Sequence, residues 1–119
     1  AWDSANNRTE ISFDITIIEN IDFQIYNVYN FPNPFKDKTH FTYWLSGEES
    51  AQVIIKIYAQ NGRLIKIFNH SATIGFNSIY WNGKDSGNNE IPNGPYLYHL
   101  QANVNASKFD QIFKLVKLK

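Results

Sequence analysis

Cysteine and methionine are both absent from the 119 residues. Without cysteine there is no disulfide, no thiolate metal ligand and no cysteine nucleophile within this stretch, although the redox compartment stays open. Net charge is absent as well. Eleven Lys plus Arg balance eleven Asp plus Glu, so no long-range field draws the chain to phosphate backbones or anionic lipid. No basic cluster interleaved with aromatics marks a nucleic-acid surface, and nucleic acid is not an expected partner. No apolar run approaches the roughly 20 residues that span a bilayer, and no charged-then-apolar leader precedes the first strand pattern. With Ala1 rather than Met in first place, the chain reads as a piece of a longer protein whose export signal would lie outside it.

Helical periodicity is missing too, and period-two alternation stands in its place. In "AQVIIKIYA", Val53, Ile55 and Ile57 share one face while Gln52, Ile54, Lys56 and Tyr58 take the other, a spacing that fits a strand and not a helical stripe. "THFTYWL" sets Phe41, Tyr43 and Leu45 against Thr42 and Trp44. "YLYHLQANV" sets Tyr96, Tyr98, Leu100, Ala102 and Val104 against Leu97, His99, Gln101 and Asn103. Further strands are expected at 9–18, 23–30, 63–68, 76–81 and 111–118. The Asn61-Gly62 pair in "QNGR" reads as a tight hairpin turn in which both residues tolerate positive φ, and "FPNPF" at 31–35 interrupts pairing twice. With 43% hydrophobic and 16% aromatic residues, the chain is long enough for one packed domain that buries roughly two thirds of its unfolded surface. The expected fold is all-β, an immunoglobulin-like β-sandwich of seven to eight antiparallel strands, with strand order left open.

The stretch "WNGKDSGNNEIPNGPYLYHL" concentrates oxygen-bearing side chains at Asp85, Asn88, Asn89 and Glu90, as calcium loops do. It lacks the ligand spacing, the closing glutamate and the flanking helices of an EF-hand. "NG", "DSGNN" and "PNG" each supply ordinary turn chemistry, so a long structural connection is the expectation and no cofactor or metal is implied. His40, His70 and His99 lie in or beside strands with no acidic neighbour in sequence to orient them. Ser46 in "LSGEES" lacks the strand-to-helix glycine setting of a nucleophile elbow. No enzyme is visible in this stretch.

Surfaces remain. Trp44, Ile54 and Tyr58 fall on the less buried sides of their strands; if those strands pair, the three make an exposed apolar patch suited to docking. The alternative is that residues 9–18 or an upstream domain cover them. Tyr26, Trp44 and Tyr58 could instead form the aromatic row of a carbohydrate-binding module. In "QIFKLVKLK", alternating apolar residues complete a sheet, and Lys114, Lys117 and Lys119 are expected to keep its edge soluble as a basic tail.

"NFPNPFKDKTHFTYWL", "VIIKIYAQNGRLIKIF", "GFNSIYWNGKDSGNNEIPNGPYLYHLQA" and the terminal "FKLVKLK" together resemble the C-terminal sorting domains of type IX secretion cargo. The middle part also resembles the immunoglobulin-like domain of flagellar hook-capping proteins. The matching positions are Pro32, Asn33, Pro34 and Phe35; Gly62 and Arg63; Trp81, Gly83, Asp85 and Gly87; Gly94 and Tyr96; and the ending from Lys114 to Lys119. Asn82 departs from the usual Asp and Pro95 from a usual β-branched residue, which puts an acidic role at position 82 in doubt.

The resemblance implies a non-catalytic sorting or recognition element that partners protein components of the type IX machinery at the outer membrane. It implies export through the periplasm to the cell surface or beyond. Residues 1–19 would be a closing strand or linker from an upstream immunoglobulin-like module, and 20–119 the sorting domain. The arrangement is similar to the end of gingipain-like sortase components, whose peptidase part would lie upstream. A carbohydrate-binding module and a structural spacer remain the alternatives. The Asn-x-Ser/Thr sequons at Asn7, Asn69 and Asn105 would be glycosylation sites in a eukaryotic secretory setting; in a bacterial one they follow from an asparagine-rich composition.

Overall fold

The computed structural model describes residues 23–47, 50–104 and 107–119. The strand expected at 9–18 and the module boundary at 19 lie outside the described residues. Within them, seven strands follow one another: β1 Gln24–Phe31, β2 Thr39–Ser46, β3 Ala51–Ala59, β4 Leu64–Ala72, β5 Gly75–Trp81, β6 Gly94–Val104 and β7 Ser107–Lys117. They form a three-stranded sheet in the order β1-β2-β5 and a four-stranded sheet in the order β4-β3-β6-β7. All the ladders are antiparallel, so the expected all-β, immunoglobulin-like sandwich is the observed one.

The alternation read from sequence decides which side chains meet between the sheets. Phe41, Tyr43 and Leu45 from β2 face Val53, Ile55 and Ile57 from β3 and Tyr98 and Leu100 from β6, and all are essentially inaccessible. Burial of each such side chain is worth roughly 1.5–3 kcal/mol. Phe41 lies at the centre, its ring 4.8 Å from Tyr98 in an edge-on contact and 6.0 Å from Trp81. One polar contact crosses the layers: the Tyr43 hydroxyl shares a 2.9 Å hydrogen bond with His70 Nδ1. Burial pushes the Tyr43 phenol well above its usual range and holds the His70 imidazole below its own.

Two strands run further than their apolar pattern predicts. β4 continues through Asn69, His70 and Ser71 to Ala72, and β7 begins at Ser107, not 111. Polar residues extend both because they are already committed to a partner strand, Val53 opposite His70 and Gln101 opposite Asp110. The hairpin at 60–63 forms with different chemistry from that expected. Gly62 alone takes positive φ, at 90°, and its N–H bonds the Ala59 carbonyl. Asn61 instead turns its side-chain oxygen to the Arg63 N–H at 3.0 Å. The register then slips between Ile57 and Tyr58, the signature of a turn closed by a glycine bulge and not of a two-residue loop.

Candidate functional site

The residues that carry the sequence resemblance gather at one end of the sandwich, around the last turns of β7. The segment between β1 and β2 contains Pro32, Asn33, Pro34 and Phe35, and both Phe31–Pro32 and Asn33–Pro34 are cis peptides. Phe35 is fully buried, with its ring 5.4 Å from Trp81. Its N–H donates to the Val116 carbonyl and its carbonyl accepts from the Leu118 N–H, each at 2.9 Å. One residue of a loop thus pairs with β7 as a short parallel strand would. Asn33 adds its side-chain oxygen to the Val116 N–H at 3.0 Å.

The connection from β5 to β6 closes from the other side. Trp81 donates its indole N–H to the Lys84 carbonyl at 2.8 Å, which folds the chain back directly after the strand. Asn82 accepts the Lys84 N–H at 3.0 Å, a bond that a carboxylate would make equally, so the departure from Asp leaves the turn intact. Gly83 sits at φ 77° with space for nothing more, since a Cβ would fall 2.6 Å from the Asp37 carbonyl oxygen. Asp85 accepts the Gly87 and Asn89 N–H groups on one carboxylate oxygen, Oδ1, at 3.0 and 2.9 Å, ordinary turn chemistry for an aspartate. Tyr96 bonds the Pro92 carbonyl at 2.6 Å, a device like the tyrosine corner of immunoglobulin domains.

This architecture corrects the expectation of a soluble basic tail. Lys117 is only 3% exposed, and its ammonium donates to the Ile91 carbonyl at 2.9 Å. It faces inward because β7 keeps its alternation to the end, placing Leu115 and Lys117 on the inner side, and the long side chain carries its charge to a carbonyl at the loop rim. Lys119 lies at the surface within 3.4 Å of Glu90 and 3.5 Å of Asp37. The Glu90 contact, followed by Asp37, holds its ammonium above the usual lysine range. Asn93 accepts the Lys119 N–H at 3.2 Å. Of the three terminal lysines, Lys114 alone keeps its expected place, exposed on the outer side of β7.

The apolar patch expected from Trp44, Ile54 and Tyr58 does not assemble. β2 belongs to the three-stranded sheet and β3 to the four-stranded one, so Trp44 faces away from the other two on opposite outer surfaces. Trp44 instead joins Tyr26 and Phe76 in one cross-strand rung, with ring centroids 6.3 and 5.5 Å away. A second rung holds Phe31, His40 and Tyr80. The Tyr26–Trp44–Tyr58 carbohydrate row fails for the same reason. The sequence missed Phe76 and Tyr80 as members of this face because they lie in a short strand whose neighbour is set by topology. It also missed an acidic partner for His99: Asp110 of β7 bonds His99 Nε2 across the ladder, and this bond is the main cause that holds the Asp110 carboxyl below its usual range.

Among the described residues no group of three or more His, Asp or Glu side chains is placed to hold a metal, and no helix of the described residues is long and apolar enough to cross a membrane. No family model matches the sequence, and comparison with curated proteins gives no significant match. Solved structures share the fold. Dimeric latent PorU from Porphyromonas gingivalis superposes with a TM-score of 0.70 at 21% identity, over 92% of this chain and 10% of that one. PorZ, a surface component of the type IX secretion system of the same organism, gives 0.52 at 21% identity, over 78% of this chain and 12% of that one. FlgD from P. aeruginosa gives 0.47 at 21% identity over 68% of each chain, too low to carry the fold. The chain therefore spans about a tenth of the length of the two type IX proteins and shares the sandwich of a part of each.

Proposed function

We propose that this sandwich is a non-catalytic C-terminal domain of a protein exported by the type IX route, in which it acts as the sorting and recognition element. The parent would be a surface protein of the gingipain-like sortase kind. Its partners would be the protein components of the secretion machinery at the outer membrane, reached through the periplasm. The observation that carries the reading is the clasp. Phe35 and Asn33 on one side, and Ile91 and Asn93 on the other, hold the end of β7 in place. The sequence features that resemble sorting domains are the ones that build it. A carrier would then read a folded end with Lys114, Lys119, Asp37 and Glu90 on its surface, and not a loose basic tail. The two type IX structures that share the fold support the same assignment.

Deleting residues 114–119 is a poor test, because it removes buried Leu115 and Lys117 together with the backbone partners of Phe35. The domain would unfold, and export would fail whatever the machinery reads. Surface reversal separates the two effects. A reporter fused to this domain in a type IX-competent bacterium should reach the medium or cell surface. The double variant Lys114→Glu with Lys119→Glu, once circular dichroism and thermal melting show that it is folded, should trap it in the periplasm. Normal export of a folded double variant, or of the reporter fused to an unrelated sandwich, would overturn the reading in favour of a spacer.

A further inference from the structure

Asparagine followed by glycine can rearrange without an enzyme. The glycine nitrogen, once deprotonated, attacks the asparagine Cγ; an N–C bond forms, the Cγ–Nδ2 bond breaks and ammonia leaves. Water then opens the five-membered imide at either carbonyl, giving aspartate or isoaspartate. The sum is asparagine plus water to a carboxylate plus ammonia, with no redox step. Glycine favours the attack because it has no Cβ to crowd the nitrogen and its backbone turns easily. The chain holds three such pairs, Asn61-Gly62, Asn82-Gly83 and Asn93-Gly94, and the fold treats them differently. Asn93 is held by the end of β7: its oxygen accepts the Lys119 N–H at 3.2 Å and its amide donates to the Lys119 carbonyl at 3.4 Å. Gly94 beside it is fixed as the first residue of β6, opposite Lys117.

Asn61 and Asn82 share a geometry that suits the attack. Each accepts the N–H two residues further on at 3.0 Å, which curls the side chain over the intervening peptide. They differ in room. Gly83 is buried, and a Cβ on it would lie 2.6 Å from the Asp37 carbonyl oxygen. Its peptide has no space to swing onto the Asn82 side chain, nor to take the extra methylene that isoaspartate puts into the main chain. Gly62 is exposed, and a Cβ on it would meet nothing within 4 Å. Its N–H is tied to the Ala59 carbonyl, but one exposed turn bond slows the reaction only by about fivefold. We propose that Asn61 is a site of spontaneous modification, converting to aspartate and isoaspartate in the folded domain while Asn82 and Asn93 are protected. The product sets a carboxylate beside Arg63 at the tip of the β3–β4 hairpin. Its isoaspartate form lengthens the turn where the register already slips between Ile57 and Tyr58. The conversion does not depend on the export role.

Cleavage after lysine and arginine puts the three pairs into separate peptides, 57–63, 67–84 and 85–108. The test is a time course of the 119-residue chain at mildly alkaline pH, folded and in parallel in denaturing urea, followed by digestion and mass spectrometry with fragmentation to place each change. In the folded chain Asn61 should convert at least about tenfold faster than Asn82 or Asn93, because those two react only after a larger opening of the fold. In urea the three should react at similar rates. Asn61→Asp supplies the aspartate peptide as a standard, and a second product of the same mass with a different retention time identifies isoaspartate. Faster conversion of Asn82 or Asn93 in the folded chain overturns the proposal, and so do equal rates at all three. The same ranking and spread in urea would also overturn it, since the selection would then come from local sequence and not from the fold.

Discussion

The backbone N–H of Val116 donates to the side-chain oxygen of Asn33 at 3.0 Å, across 83 positions of sequence. A side chain from the first loop thus supplies a bond that the edge of β7 would otherwise take from water, and it does so beside the backbone pair made by Phe35. Replacing Asn33 by Ala removes the acceptor while leaving the prolines that shape the loop. The expected cost is about 1 kcal/mol, the usual net worth of one such bond, read as a shift in urea midpoint at unchanged slope. Amide exchange should quicken at Val116 and Leu118 more than in β3 or β6. Uniform acceleration throughout the sandwich would mean that Asn33 supports the fold as a whole and does not fasten its end.

Gly83 and Gly62 make a matched pair for testing backbone strain. Both have positive φ, 77° and 90°, but a Cβ at Gly62 meets nothing within 4 Å while one at Gly83 meets the Asp37 carbonyl oxygen at 2.6 Å. Gly62→Ala should lose about 1 kcal/mol from conformation alone. Gly83→Ala adds a collision between two backbone segments, neither of which has a flexible end to move aside, and should lose roughly 2–4 kcal/mol. Equal losses in thermal melts would show that the Asp37 segment yields freely and is no part of a rigid clasp.

The sandwich was legible because burial on one side writes itself into alternation. Alternation alone puts Val53, Ile55, Ile57, Tyr98 and Leu100 in the core, and all are buried there. What alternation does not encode is which sheet a strand joins. Trp44 and Tyr58 look equivalent in sequence, each an outward aromatic on an alternating strand, yet they lie on opposite surfaces. Pairing depends on non-local contacts, and for the same reason the His99–Asp110 bond could not be foreseen from spacing. The motif residues were legible as turns, but their convergence on β7 was not, since Phe35 pairs with residues more than eighty positions away. Lys117 misled because charge is usually read as exposure; here the strand's period outweighed it.

Lys117 turns that lesson into a measurement. Its ammonium bonds the Ile91 carbonyl in a nearly closed site. Lys117→Ala should strand that carbonyl and leave a void where the aliphatic stem packed, a combined loss of roughly 2–4 kcal/mol. Lys117→Met keeps the stem and loses only the donor, so it should cost less, about 1–2 kcal/mol. Lys114→Ala, on the exposed side of the same strand, should change stability by no more than about 0.5 kcal/mol. If all three variants melt alike, Lys117 is a surface lysine after all.

High pH should open the sandwich through two of its tyrosines. Tyr43 and Tyr98 are 0% and 1% exposed, and burial pushes both phenols well above their usual range. In the unfolded chain the same groups ionise near pH 10. The folded pKa is the higher one, so the stability these phenols contribute is fully present below about pH 10 and is lost as pH rises toward their folded values. The decline is at most about 1.4 kcal/mol per pH unit for each tyrosine. Tyr98→Phe separates the effect from packing, because the ring stays against Phe41 at 4.8 Å and Phe113 at 5.3 Å while the ionisable group goes. Its melting temperature should match the parent chain at pH 7 and exceed it above pH 10, and tyrosinate absorbance released at alkaline unfolding should fall by one residue. An unchanged alkaline profile would mean that Tyr98 ionises in place, and that water reaches the middle of the core without unfolding it.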